Sequence, residues 1–283
     1  MDRVHTWQEF KDEVASLRSV AMPEPVLFRG QASTDWQLAT TLERFTSSKS
    51  IGRYYQFILR IRPEIETSTG LSWEQGLNRV QIEKQLKDYE PFDGDIRNMP
   101  HYAYMVYLRH HGFPSPLLDW SRSPFVAAYF AFREPAAPYV KIFAYREMTH
   151  AFKVLSSDEA QINSFGPYIR GPKRHFAQQS QYTMCTRFDA EQGWKFAPHA
   201  EVLDRGSLKQ DVIQQFYLSA SDRPLVLREL SDYNLTAFSL FGSEDGLMEA
   251  LKIREESFLA NGDEPRIRAH TFAPTIEVSS DGQ

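Results

Sequence analysis

Cysteine occurs once in this 283-residue chain, at Cys185, so neither an intramolecular disulfide nor a multi-cysteine zinc site can form. No stretch approaches the roughly 20 consecutive apolar residues that span a bilayer. The opening Met1-Asp2-Arg3-Val4-His5-Thr6-Trp7 has no apolar core of the kind a secretory signal carries. Neither sign of charge dominates: 32 Lys and Arg against 37 Asp and Glu leave a net charge of -5, which gives no global pull toward nucleic acid. Internal repeats, low-complexity blocks and a clear inter-domain linker are also missing. These absences set an expectation of a globular cytoplasmic protein without membrane contact. They place one domain over residues 1–260, followed by a loose Gly-, Asp-, Pro- and Ser-containing tail over 261–283.

Core material is plentiful, with 42% hydrophobic and 13% aromatic residues, too much for a disordered chain. Thr6 is placed to cap a helix over 6–18, whose Trp7, Phe10, Val14 and Leu17 share one face. Glu24 to Arg29 reads as a short strand closed by Gly30. From about 51 to 111 the pattern predicts helices, broken near Gly70 and near Gly94, the last ending at Gly112. Leu117-Leu118-Asp119-Trp120 is a buried strand, and Ser123-Pro124 opens the next helix with a capping hydroxyl and a ring at its first position. Strands are expected at 139–145, 176–187 and 194–203, with polar loop between 156 and 175. The remainder reads as helices over about 208–218, 222–232 and 245–256, with a short strand near 236–241. Strands and helices without regular alternation favour an α+β fold.

Two polar groups stand where strands end. Arg29 is a cation at the close of Val26-Leu27-Phe28, and Asp119, Ser121 and Ser123 form the lip between a buried strand and a new helix. Adjacent His110 and His111 point apart on a helix, and no carboxylate or histidine spacing completes a metal site.

Phe28-Arg29-Gly30-Gln31, Arg44, His111-Gly112-Phe113-Pro114, Leu117-Leu118-Asp119-Trp120-Ser121 and Ala128-Tyr129-Phe130-Ala131 together resemble the FRG domain, which takes its name from a Phe-Arg-Gly motif. Arg174-x-x-Ala177-Gln178-x-x-x-Tyr182-Thr183 and Leu240-Phe241-x-x-x-Asp245-Gly246-Leu247 extend the likeness, which spans roughly 20–250. The chain departs from the pattern at His110-His111, Ser115-Pro116 and Ser180. The family's layout is similar to the ADP-ribosyltransferase fold. The resemblance thus implies a split β-sheet core with a helical insertion over about 51–111 and C-terminal helices. It also implies an enzyme that uses NAD as co-substrate and transfers ADP-ribose to RNA, DNA or protein, as a bacterial toxin or antiphage effector with a neutralising partner.

Under that resemblance, Arg29 would hold NAD phosphate, since a guanidinium fork suits it better than an ammonium. Gly30 would allow close backbone approach. Thr41, Arg44 and His111 would line the same wall, although a helix-end histidine also fits as a partner of the helix dipole. Ser121 would order the nicotinamide ribose, and Asp119 would orient Arg29 or the Ser121 loop, or serve as a purely structural buried carboxylate. Gln178 stands where a glutamate is expected. It can grip a ribose hydroxyl but brings no charge to the oxocarbenium; Gln181 and Glu201 are the rivals, and Glu201, on the next predicted strand, could supply the charge. Arg170 and Arg174, with Tyr182, mix cations and rings as single-stranded nucleic-acid sites do; a solvated loop has the same composition. A nucleotide sensor without turnover is the alternative function. A metal-dependent nuclease using Asp119 and His111 would lack a second carboxylate.

Overall fold

Helix starts in this chain are written by side-chain caps. In the computed structural model, which describes residues 3–19, 25–73, 76–88, 98–147, 159–166, 169, 171, 173–203 and 211–260, the hydroxyls of Thr6, Thr40, Ser50, Ser123 and Thr236 each accept from an amide in the first helical turn. The elements run β1 (Val4–His5), α1 (Trp7–Ser19), β2 (Leu27–Gln31), α2 (Thr41–Phe45), α3 (Ile51–Thr69), α4 (Arg79–Gln85), α5 (Tyr102–His110) and β3 (Leu118–Ser121). There follow α6 (Pro124–Phe132), β4 (Tyr139–Glu147), β5 (Gln161–Phe165), α7 (Lys173–Ala177), β6 (Ser180–Asp189), β7 (Gly193–Phe196) and α8 (His199–Leu203). The chain then forms β8 (Asp211–Ser219), α9 (Arg223–Asp232), α10 (Ala237–Phe241) and α11 (Glu244–Ala260).

The strands make one mixed eight-stranded sheet in the order β1-β8-β4-β2-β3-β6-β5, with β7 on the far part of β6. β1 runs parallel to β8 and the remaining pairings are antiparallel. Period-two alternation divides the core. Phe28, Ile142, Ala144 and Phe216 face α1, α6, α9 and α10, whereas Leu27, Phe143 and Tyr145 turn to the opposite face with Trp120 and Val202. Helices α3, α4 and α5 build a further core against Phe165, Tyr182, Met184 and Phe196.

Two features position the site. First, β2 pairs with β4 over its whole length but registers with β3 only at Phe28↔Ser121, so the two strands separate beyond that pair. Second, α6 lies on β2 at backbone distance: a Cβ added at Gly30 would meet Ala127 O at 1.9 Å and Ala131 N at 2.8 Å. Gly30 therefore lies within β2 instead of closing it.

Several expectations from sequence are corrected. Residues 211–219 form a strand, not a helix, because β8 pairs with β4 along nine residues from Tyr139↔Ser219 to Glu147↔Asp211. The stretch at 237–241 is a helix, capped by Thr236 and closed by Gly242 at φ 64°. Of the loop expected over 156–175, residues 161–165 are β5 and 173–177 are α7. After β7 the chain turns into α8, so Glu201 is helical and exposed. The tail over 261–283 lies outside the described residues. Among the described residues, no helix is long and apolar enough to cross a membrane.

Candidate functional site

Where β2 and β3 part, a side chain takes over from the ladder. Arg29 Nη1 donates to the Asp119 carbonyl at 2.7 Å and lies 3.2 Å from Asp119 Oδ1. Arg109, on the last turn of α5, binds the same carboxylate oxygen. Its Nε donates to Asp119 Oδ1 at 2.8 Å, and its Nη2 makes a second, shorter bond. The Asp119 side chain is 43% exposed and lines a hollow. Burial alone would raise its pKa; the guanidiniums of Arg109 and Arg29 outweigh burial and hold it well below the usual carboxylate range. Burial lowers the Arg29 pKa, with Asp119 opposing.

That hollow is a cavity of about 750 Å³, within the range of roughly 300–1,000 Å³ typical of small-molecule sites. Its floor is β2 from Phe28 to Gln31 and the end of β3 from Asp119 to Ser121. Its walls carry four guanidiniums, Arg29, Arg44, Arg109 and Arg174, against two carboxylates, Asp35 and Asp119. Trp36, Phe130 and Phe241 supply aromatic surface.

The lip after β3 is stitched to the turn after α7. Ser121 Oγ donates to Gln178 O at 2.8 Å and accepts from Ser123 N at 3.0 Å, and Arg122 N donates to Gln179 O at 3.0 Å. The Ser121 hydroxyl thus fixes the Gln178 backbone. Gln178 Nε2 donates to Leu240 O at 3.1 Å, which leaves the amide oxygen for a ligand.

Along one wall His110 Nε2 stands 2.7 Å from Tyr182 Oη, and His175 Nδ1 stands 3.0 Å from the same oxygen. A phenol has one proton, so one imidazole accepts from Tyr182 and the other donates to it. Burial, followed by the charge of Arg174, pulls the His110 pKa down to about 4, so His110 is neutral at physiological pH. Behind the sheet, Trp120 Nε1 donates to Thr183 Oγ1 at 2.8 Å, and Thr183 Oγ1 meets His199 Nε2 at 2.9 Å. Burial, with Arg29 nearby, lowers the His199 pKa to about 3.

The cavity therefore brings together Arg29, Gly30, Arg44, Asp119, Ser121, Arg174, Gln178 and Tyr182. Three expected members lie elsewhere. Thr41 binds the Ser115 backbone in both directions, with its Oγ1 accepting at 2.9 Å and donating at 3.3 Å, and ties α2 to the segment before β3. His111 caps the end of α5, stacks on Tyr107 and lines a neighbouring cleft, while His110 faces the cavity in its place. Glu201 pairs with Arg187 on α8, away from the cavity, because Pro198 ends β7 and starts a helix. Arg170 lies outside the described residues. Sequence reasoning missed Asp35, on the loop after β2, and Arg109. The one signal for Arg109 was a cation in the last turn of a helix leading into Asp119, and that becomes a site only when α5 folds over β3.

Fold and cavity define the class: a mixed α/β protein whose central sheet opens onto an arginine-walled hollow beside the Phe28-Arg29-Gly30 strand. Residues 24–139 match the family model of the FRG domain. The matched segment supplies Arg29, Gly30, Arg44, Arg109, Asp119 and Ser121. Arg174, Gln178 and Tyr182, which sequence analysis attached to the same resemblance, lie beyond it. Searches of curated proteins and of solved structures return no match for this chain.

Proposed function

We propose that the cavity binds NAD and that the protein transfers ADP-ribose from it to a macromolecule. The observation that carries this reading is the convergence of four guanidiniums on one dinucleotide-sized hollow holding only two carboxylates. Such a wall favours a ligand with several negative oxygens, and guanidinium forks match phosphate geometry. Trp36, Phe130 and Phe241 offer flat apolar surface for a base or the nicotinamide ring. The separation of β2 from β3 supports the likeness to an ADP-ribosyltransferase-like split sheet, an analogy of architecture.

In this reading Arg44 and Arg174 hold the pyrophosphate, and Arg29 holds a phosphate on its open edge while remaining tied to Asp119. Gln178, fixed through Ser121 and Leu240, offers its amide oxygen to a ribose hydroxyl. The glycosidic C–N bond breaks with its electron pair leaving on nicotinamide, and the acceptor's nucleophile then bonds to the ribose carbon and releases its proton to solvent. Asp35 and Asp119 are the carboxylates that offset the positive charge building there. A second reading, a nucleotide sensor without turnover, is favoured by one observation: the Asp119 carboxylate is already ion-paired with two guanidiniums, and Gln178 carries no charge.

Titration calorimetry with NAD, followed by chromatography for free nicotinamide, tests both. Arg44 is exposed and, among the described residues, its side chain bonds only the Ala39 carbonyl, so Arg44→Ala spares the fold. It is expected to weaken NAD binding about tenfold, the size of one charge-assisted hydrogen bond. Gln178→Ala is expected to slow nicotinamide release with binding retained, and Glu201→Gln to change neither. Binding without release selects the sensor; no binding at all defeats both readings.

A further inference from the structure

Beside the cavity a stack of rings runs from the core to the surface: Phe57 and Phe113 pack, partly buried, against the core of α3, α4 and α5, and Phe45 extends the stack beyond it. Phe45, the last residue of α2, is 64% exposed. Its ring lies on Phe57 of α3 with centroids 6.0 Å apart and planes 12° from parallel, and Phe57 lies on Phe113 at 4.8 Å and 29°. One face of this ladder is closed by Phe113, and the other is left open at Phe45.

Arginines surround it. Arg44 precedes Phe45, and Arg53 and Arg60 stand one helical turn to either side of Phe57 on α3. All are exposed, and none is ion-paired to a carboxylate among the described residues. The nearest carboxylates in sequence are Glu43, which accepts from Thr40 N, and Glu64, which is exposed a turn beyond Arg60.

We propose that the Phe45–Phe57–Phe113 ladder, with Arg44, Arg53 and Arg60, is a binding face for single-stranded nucleic acid. An open ring at the end of a preformed stack offers a π-face to an unpaired base of any identity, and the arginines meet phosphates on either side. A duplex keeps its bases stacked inward and has none to offer. The local charge is opposite to the net charge of -5, so the attraction is confined to this face. Arg44 lines the cavity as well, so a strand laid along the ladder ends at the cavity rim. The inference does not depend on what fills the cavity, because binding is read without NAD.

The test is fluorescence anisotropy of the full chain with short labelled RNA, single-stranded DNA and duplex DNA over a salt series. Single strands are expected to bind and the duplex to bind weakly. Phe45→Ala is expected to weaken single-strand binding about tenfold, the size of one base–aromatic stack, with an unchanged thermal midpoint. Phe45→Trp should retain it. Arg53→Ala and Arg60→Ala should each reduce the slope of log affinity against log salt by about 0.7. Wild-type affinity in Phe45→Ala, equal affinity for duplex, or no binding by the wild type each overturns the proposal.

Discussion

Gly30→Ala is expected to destabilise the protein by about 3 kcal/mol or more, a large share of the roughly 5–15 kcal/mol that holds a typical domain folded. The methyl group would sit 1.9 Å from Ala127 O, 2.8 Å from Ala131 N and 3.0 Å from Ala127 C. These are backbone atoms of α6, so no rotamer relieves the overlap, and the whole helix must lift off β2. Lifting it opens the core that Val126, Ala127, Tyr129 and Phe132 form with Phe28, Ile142 and Phe216. Gly70→Ala is the control. Gly70 has φ 68° with nothing within 4 Å of an added Cβ, so only the left-handed backbone is penalised, by about 1 kcal/mol. Urea denaturation checks both: a fall in the Gly30→Ala midpoint with unchanged slope is expected, larger than that for Gly70→Ala. Equal midpoints for Gly30→Ala and wild type would show that α6 does not bear on this strand as described. The glycine of the Phe28-Arg29-Gly30 motif is thus set by helix packing, even though its strand also floors the cavity.

What was legible in the sequence is what local chemistry decides. Ser123-Pro124 starts α6 because a hydroxyl and a proline ring satisfy the first turn without help from elsewhere. Leu117-Leu118-Asp119-Trp120 is too apolar and short to be anything but a buried strand, and it is one. The errors fall where partners decide. Asp211-Val212-Ile213-Gln214-Gln215-Phe216-Tyr217-Leu218 has apolar residues that suit either period, and only pairing with β4 fixes it as a strand. Thr236-Ala237-Phe238-Ser239-Leu240-Phe241 alternates like a strand, but the capping pair Thr236 and Ser239 and the left-handed Gly242 make it a helix. In the site, the residues on strands and their immediate ends were found. Arg109 was not, because its partner Asp119 is reached by tertiary folding and not by any repeat along the chain. His111 was chosen over His110 because sequence does not say which face of the last helical turn meets the cavity.

Asp119→Ala is the other change with a large expected effect, since it leaves Arg29 and Arg109 facing each other without their shared anion. Breaking a buried ion pair by removing one partner typically costs about 3–5 kcal/mol. The carboxylate is 43% exposed, whereas the Arg29 and Arg109 side chains are 15% and 16% exposed, so solvent screening discounts the loss to about 2–3 kcal/mol. The pH dependence has a definite sign. Because the folded pKa of Asp119 is depressed, its stabilisation is present above the ordinary Asp value of about 3.9 and is lost as pH falls toward the folded value. Thermal midpoints of wild type and Asp119→Asn are therefore expected to differ by a constant amount from neutral pH to about 4 and to converge below it. A gap that persists unchanged into strong acid, or that widens there, would mean that the carboxylate charge is not what binds the two arginines. The same logic joins stability to ligand. With Asp119 replaced by alanine, an anion entering the cavity gains two guanidiniums that the wild type has already partly neutralised. Inorganic pyrophosphate is thus expected to raise the melting temperature of Asp119→Ala by more than it raises that of the wild type. An equal rise would show that the anion does not reach Arg29 and Arg109.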